Sequence, residues 1–412
     1  MNVWKTGLKT GRILVEKGGL ITLILSLLLV LPGCWDRKEI NDLAIVLAAG
    51  VDMTPSGAVE LSAQIFIPRA AGGGPQGNTG GSGGNVTGAT LLRKATGKDI
   101  DEAIIELQRK LSRYLFWGHS EVIVFGKAVA DKGIRPYLDF FLRYLQFREH
   151  AYVYVTPGRA ISVLDLQPLL ERSTSEELRE MGNMKLGMLV TLKRLTQMIE
   201  GDSQSAVLTV VDPVSWRQVN KPAQMTTAIQ GVAVFDKDKL ASMLDSREAI
   251  GLLLLRNELE TMNFSFGLQD TEGVVAVHLI RANARFTPKI TPFGEWRMEV
   301  DIQVSGDLIQ NTTNTNNMSN DFIRKAKEAW KLQLVESVES SLANAQKRLQ
   351  IDVFDFAVLF RKHYPREWAK NKQQWDTIFR ELPVDVTVRT EITRVGKSGL
   401  PQGMPADKIR KK

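Results

Sequence analysis

The chain contains one cysteine, Cys34, among 412 residues, and this limits how its fold can be stabilised. One cysteine cannot form an internal disulfide, a zinc knuckle or an iron–sulfur site. The four histidines are dispersed, so they do not form the pattern of a histidine-rich metal centre either. We therefore predict no metal and no cofactor, and a fold held together by apolar cores, which a hydrophobic content of 43% allows.

The segment before Cys34 is typical of a lipoprotein signal peptide. Residues 1–17 carry four basic side chains against one acidic one, and residues 18–31 are almost wholly apolar. This apolar run is shorter than the roughly 20 residues that a transmembrane helix needs. It ends in Leu31-Pro32-Gly33-Cys34, which matches the bacterial lipobox.

The lipobox predicts cleavage of residues 1–33 and lipidation of Cys34. The cysteine thiolate would accept a diacylglycerol, and the new amino group would accept a further acyl chain such as palmitate. Two or three acyl chains give stable anchoring where one does not, because each buried methylene contributes about 0.8 kcal/mol. The alternative is an ordinary signal anchor with an incidental cysteine.

The basic balance of the chain does not indicate a nucleic-acid partner. The formal net charge is +7, but most of the excess lies in the predicted leader and in the last six residues. The body between them is nearly neutral, whereas nucleic-acid binding needs a basic face on the folded domain. We interpret residues 397–412 as a basic tail, either solvated or in contact with anionic lipid head groups.

The order of predicted strands and helices indicates an α+β protein of two to three domains, each a mainly antiparallel or mixed β-sheet packed with helices. An N-terminal α+β domain is expected over residues 34–211, with a flexible glycine-rich loop at 70–88. Two prolines and little periodicity predict a linker over residues 212–224. The C-terminal α+β region, residues 225–396, is expected to form one domain or two subdomains divided near 283–310. The strands are interpreted as hairpins and meanders.

Residues 33–52 (GCWDRKEINDLAIVLAAGVD) resemble the opening of the Ger(x)C-type spore germination lipoproteins, the C subunits of nutrient germinant receptors. Three further segments are similar to the family and occur in its order: Phe116-Trp117-Gly118-His119, Gly231-Val232-Ala233-Val234-Phe235, and Asp352-x-Phe354…Tyr364-Pro365-x-x-Trp368…Trp375. The glycine-rich stretch and Pro32 depart from the family pattern but touch none of these motifs.

The resemblance implies a protein held by lipid on the outer face of the inner spore membrane. It implies two partners, a transporter-like integral membrane subunit and a second, larger membrane subunit. It implies no catalytic activity, and it names neither a nutrient nor a residue that binds one.

The residues themselves offer no recognisable catalytic set. Ser82 and Ser120 lie outside any G-x-S-x-G elbow. Acidic residues 99, 101 and 102 crowd a helix N-terminus, where the helix dipole stabilises acids. His119 is interpreted as a structural histidine bonded to a backbone carbonyl; the alternatives are a buried acid or base and a contact for a partner.

Trp368 and Trp375 are seven residues apart, which places them on one face of a predicted helix packed against the preceding sheet. The alternative is an aromatic ledge that binds a ligand. Without a catalytic set, we predict a non-enzymatic receptor subunit. The other functions considered are a solute-binding lipoprotein of an importer and a surface-anchored hydrolase.

Overall fold

The computed structural model of the chain describes residues 39–68, 90–185, 187–216, 224–269 and 271–396. The predicted signal peptide with Cys34, the glycine-rich loop and the basic tail lie outside the described residues. Within the described ranges, no helix is both long enough and apolar enough to cross a membrane.

The strands of the described residues form two sheets. The first sheet contains β1 (Leu43–Met53), β2 (Val59–Phe66), β3 (Thr90–Gly97), β4 (Tyr114–Phe116), β5 (Val122–Gly126), β6 (Tyr152–Thr156), β7 (Ser205–Trp216), β8 (Gln224–Asp236) and β9 (Lys239–Asp245). The second contains β10 (Asn263–Phe266), β11 (Val275–Ile290), β12 (Trp296–Asn311) and β13 (Val384–Arg394).

The helices cover the first sheet on both faces and the second on one. Those that follow strands of the first sheet are Ile100–Gln108, Lys127–Lys132, Arg135–Arg143, Ala160–Leu164, Thr174–Asn183 and Leu192–Glu200. Those that pack with the second sheet are Ala249–Leu255, Asn320–Ala343, Phe356–His363, Pro365–Asn371 and Trp375–Glu381. A π-helical turn, Asn344–Leu349, extends the longest of them.

The first sheet has the order β3-β2-β1-β5-β6-β7-β8-β9, with β4 beside β1. Its centre is parallel, because β1, β5, β6 and β7 run in the same direction. Strand β5 is buried along its whole length, as expected of a parallel strand with helices on both faces. The interpretation of all strands as hairpins and meanders is therefore wrong here: β6 and β7 are reached by helical crossovers.

The second sheet has the order β10-β11-β12-β13 and buries one face only. Strands β10, β11 and β12 are antiparallel neighbours, and β13 runs parallel to β12 at the edge. Alternate residues of β12, such as Val300 and Ile302, are buried against the helices. The other face is polar and open, which is the usual pattern of an antiparallel sheet with one solvated side.

The described part of the predicted linker over residues 212–224 is instead strand. Residues 212–216 belong to β7 and pair with β8, and residues 217–223 lie outside the described residues. Pro213 pairs with Thr227 on one side, while β6 contacts β7 only at Thr209 and Val210. Proline is tolerated where a strand has a neighbour on one side only.

The division predicted near residues 283–310 is also corrected. These residues lie in β11 and β12, which pair from Val275 with Asn311 to Ile290 with Trp296. Gly306, within β12, lies beside Trp330 and the carbonyl of His278, where a Cβ atom would clash. It permits close packing of helix and sheet within one structure. The α+β class with mixed sheets packed by helices is confirmed.

Candidate functional site

Two buried carboxylates lie in the family-like motifs, Asp52 in β1 and Asp352 in the segment before helix Phe356–His363. Asp352 is the one that lies beside the motif tryptophans. Its Oδ1 accepts hydrogen bonds from the backbone N–H of Phe354 (3.2 Å) and Phe356 (3.1 Å). Its Oδ2 accepts from the N–H of Ala357 (2.8 Å) and from Nε1 of Trp375 (3.1 Å). The carboxylate therefore satisfies the free amides at the start of this helix and fixes the indole of Trp375.

Burial dominates the electrostatics of this carboxyl group. Asp352 is 4% exposed. Burial raises its pKa to about 6, and the neighbouring Asp355 carboxylate raises the pKa further, against the lowering effect of the three backbone N–H groups. Desolvation thus makes the ionised form costly, and the four donors offset part of that cost.

Asp355 joins the same segment to the first sheet and to helix Ala249–Leu255. Its Oδ1 accepts from Ser203 Oγ (2.6 Å), and its Oδ2 accepts from Arg256 Nη2 (2.9 Å). The Arg256 side chain is 4% exposed and also donates from Nη1 to the carbonyl of Val353. Ser205, at the start of β7, donates to the carbonyl of Asp352 (2.6 Å). We call residues 352–355 with Ser203, Ser205 and Arg256 the carboxylate junction.

The two motif tryptophans lie beside the carboxylate junction, but not on one helix as predicted. Trp368 belongs to Pro365–Asn371 and Trp375 begins Trp375–Glu381, with a 3-10 turn between them. Their ring centroids are 5.2 Å apart, and Trp375 also contacts Trp296 of β12 at 6.1 Å. Both are buried, and Trp375 packs against the preceding sheet through Trp296, which favours the packing interpretation over a ligand ledge.

A polar cleft of about 600 Å³ opens next to the junction. Its lining includes both motif tryptophans, carboxylates such as Asp236 and Asp376, and the cations Lys237 and Lys372. The charges are of mixed sign and spread around the rim. Across the described ranges, no group of three histidine, cysteine or acidic side chains is arranged to hold a metal ion.

His119 lies in a second, smaller recess of about 200 Å³ with Glu121 and Arg179. It is exposed, its ring centroid is 5.9 Å from that of Phe116, and the described residues make no hydrogen bond to its ring. The predicted bond to a backbone carbonyl is therefore not found, and exposure excludes a buried acid or base. Of the interpretations left open by the sequence, a contact for a partner remains.

The other polar residues singled out in the sequence either have structural positions or lie outside the described residues. Asp99 caps helix Ile100–Gln108 by accepting from the N–H of Glu102 (2.9 Å), which confirms the helix-terminus interpretation of the acidic cluster. The Ser120 hydroxyl is buried, and no described residue bonds to it. Ser82 and the predicted lipidation site, Cys34, lie outside the described residues.

The carboxylate junction was only partly visible in the sequence. Asp352 and the tryptophans belong to a family-like motif, but Ser203, Arg256 and their contacts with Asp355 carried no sequence signal. Asp355 adopts a left-handed backbone conformation (φ 61°) without being a glycine, which places its carboxylate between these two partners. Such a contact, across 99 residues of sequence for Arg256, emerges only in the folded chain.

Comparison with known proteins now defines the class. A model of the spore germination protein N-terminal domain matches residues 36–213, and a model of the C-terminal domain of spore germination proteins of the B3 and GerAC type matches residues 230–396. The chain belongs to this GerAC-like family of spore germination proteins, which confirms the resemblance seen in its sequence.

Individual relatives match over nearly their whole length. YfkR of Bacillus subtilis strain 168 is 27% identical over 90% of this chain and 95% of its own. Spore germination protein KC of the same strain is 27% identical, covering 93% and 97%, and spore germination protein GerQC of Bacillus cereus is 23% identical, covering 92% and 99%. The crystal structure of the GerBC protein shares the fold, with a TM-score of 0.54 at 15% identity over 84% of this chain and 97% of that one.

Proposed function

We propose that this protein is a non-enzymatic, lipid-anchored subunit of a spore nutrient germinant receptor and is required for germination in response to nutrients. The observation that carries the proposal is the match of both family domains in order, together with relatives that align over at least nine-tenths of this chain. A relative's function transfers best when no domain is missing from either chain.

The chemistry of the described residues supports a binding or structural role over catalysis. The buried motif carboxylate Asp352 is held by four hydrogen-bond donors from its own fold, and the other buried one, Asp52, accepts from the N–H groups of Ala160 and Ile161. A general acid or base must reach a substrate proton, and a carboxyl group committed in this way does not. The exposed His119 lacks the hydrogen-bonded partner that would activate it.

The proposed anchor is lipid on Cys34, on the outer face of the inner spore membrane. The lipobox before Cys34 supports it. The proposed partners are a transporter-like integral membrane subunit and a second membrane subunit. The names of relatives such as spore germination proteins A3 and B3 fit a set of several receptor subunits.

A solute-binding lipoprotein of an importer is the second candidate, favoured by one observation. The parallel strands β1, β5, β6 and β7 with crossover helices are an element that such proteins use. The second sheet does not repeat this arrangement, because only β12 and β13 are parallel there. A micromolar dissociation constant for a small solute, measured by calorimetry, would favour this candidate.

Deletion of the gene tests the receptor role. We expect spores without this protein to lose the fall in optical density that follows addition of at least one nutrient, because an incomplete receptor cannot signal. Spores with the gene restored are the first control, and spores triggered by a cationic surfactant instead of a nutrient are the second. An unchanged response to every nutrient tried would contradict the proposal.

A further inference from the structure

The open face of the second sheet carries a concave, positively charged surface. Three arginines of the strands, Arg281, Arg285 and Arg389, line a cavity of about 720 Å³ together with Lys327 of helix Asn320–Ala343. Polar side chains of β11 and β12 contribute to its wall: Asn283, Gln303 and Ser305. Glu391 is the carboxylate among the described residues that line it. We call these four cations with the cavity the arginine cradle.

The shape of the arginine cradle follows from irregular strand pairing. The register of β11 and β12 shifts between Leu279 and Arg281, and that of β12 and β13 shifts between Gly306 and Asp307. Bulges of this kind bend a strand and increase its twist. The bend lies beside the cationic end of the face, so the cations surround a hollow instead of a flat surface.

The two ends of this face differ in how their charges are paired. At the hairpin end, Lys289 pairs with Glu299, and Arg297 pairs with Asp385 at 3.5 Å. In the cradle, no described residue forms an ion pair with Arg281, Arg285 or Lys327. Only Arg389 has a partner, Asp301 at 3.5 Å. The cradle therefore holds three cations without an ion-pair partner among the described residues, while both cations at the hairpin end are paired.

The spacing of the cations indicates the size of the anionic partner. Arg281 and Arg285 are four residues apart on one strand, about 13 Å, and Arg389 lies two strands away, about 10 Å. One phosphate or carboxylate cannot span these distances. A flat membrane surface is a poor match for a hollow, whereas an extended chain with several carboxylates fits both its length and its depth.

The chain itself offers no anionic occupant among its segments outside the structure. The residues at 397–412 carry five basic side chains and one acidic one, and those at 70–88 carry no charge. Strand β13 forms the edge of the described sheet beside the cradle, so an extended segment has room to lie there. We infer that the arginine cradle docks an extended acidic segment of a partner protein. This inference rests on the proposed function, because a receptor subunit needs a protein partner.

A labelled peptide tests the cradle without any germination readout. The full-length protein in detergent is titrated with a fluorescein-labelled ten-residue peptide of alternating glutamate and serine, and binding is followed by anisotropy. We expect saturable binding that weakens with salt, and at least tenfold weaker binding by the variant Arg281→Glu/Arg285→Glu. A peptide with glutamine in place of glutamate should bind at least tenfold less tightly than the acidic one.

The matched control reverses the charge of two cations on the same face that already have carboxylate partners. The variant Lys289→Glu/Arg297→Glu carries the same change in net charge and should bind the acidic peptide within twofold of wild type. Circular dichroism of both variants establishes that they are folded. Equal weakening by both variants, or equal binding of the two peptides, would overturn the inference.

Two further probes separate other anion sources. Binding of phosphatidylglycerol vesicles that depends on Arg281 and Arg285, with no binding of the peptide, would assign the cradle to a membrane and overturn the inference. Saturation by inorganic phosphate with the same dependence would also overturn it. If the cradle binds no acidic peptide, spores without the gene can still lose their response to nutrients. Failure of this inference can therefore be told apart from failure of the receptor role.

Discussion

Replacing Asp352 by alanine is expected to lower the free energy of unfolding by about 3 kcal/mol. The change leaves three backbone N–H groups and the Trp375 indole without their acceptor. An unsatisfied buried donor costs about 1–3 kcal/mol, and relief of the buried charge offsets part of the sum. Chemical denaturation of wild type and variant at equal protein concentration measures the difference.

The pH of the measurement provides a second check on Asp352. Its folded pKa of about 6 lies above the unfolded value of 3.8, so its contribution to stability is present at low pH and is lost as the pH rises through about 6. The loss caused by Asp352→Ala should therefore be about 1 kcal/mol larger at pH 5 than at pH 8.

The control for Asp352 lies in the same cleft. Asp376 is exposed, and we expect Asp376→Ala to change the free energy of unfolding by less than about 0.5 kcal/mol. Equal losses for the two variants would show that the four hydrogen bonds of Asp352 do not hold the junction. A loss that is smaller at pH 5 than at pH 8 would contradict its raised pKa.

The variant Gly251→Ala is expected to destabilise the contact between helices Ala249–Leu255 and Asn320–Ala343. A Cβ atom at Gly251 would lie 2.0 Å from the carbonyl oxygen of Ser337 and 2.5 Å from Oγ of Ser341. Overpacking a core costs about 1–3 kcal/mol, and contact with a backbone atom places this site at the upper end. The better helix propensity of alanine returns about 1 kcal/mol, so we expect a net loss of about 2 kcal/mol.

Thermal or chemical unfolding of Gly251→Ala measures this loss, and Gly267→Ala is its control. Gly267 is exposed, and its nearest neighbour would be 3.9 Å from an added Cβ atom, so its stability should stay within about 0.5 kcal/mol of wild type. A Gly251→Ala protein as stable as wild type would mean that the two helices do not approach as closely as the structure shows.

Local patterns in the sequence predicted the elements whose burial depends on their own residues. The apolar run at residues 43–52 indicates a buried strand and forms β1, and the alternation at 384–392 indicates a strand with one buried face and forms β13, because period and burial agree there. The proline-rich stretch misled the linker prediction, since the effect of Pro213 depends on which strands lie beside β7. A local sequence pattern does not predict which strands will be neighbours in the sheet.

The contacts of the candidate site were even harder to predict from the sequence than the strands. The motif indicated that Asp352 and the tryptophans belong together, but the contacts of Asp355 with Ser203 and Arg256 join segments about 150 and 99 residues apart. The arginine cradle likewise depends on the register of three strands. Both arise from long-range pairing, which no local period encodes.

We propose that this protein is anchored by lipid on Cys34 as part of a germinant receptor, and one labelling experiment tests this proposal most directly. Cells forming spores are supplied with a radioactive fatty acid, and the protein is recovered from membrane and soluble fractions. We predict that wild type and a Trp35→Ala control are labelled and retained in the membrane, whereas Cys34→Ala is unlabelled and released. A Cys34→Ala protein that remains labelled and membrane-bound would contradict the account.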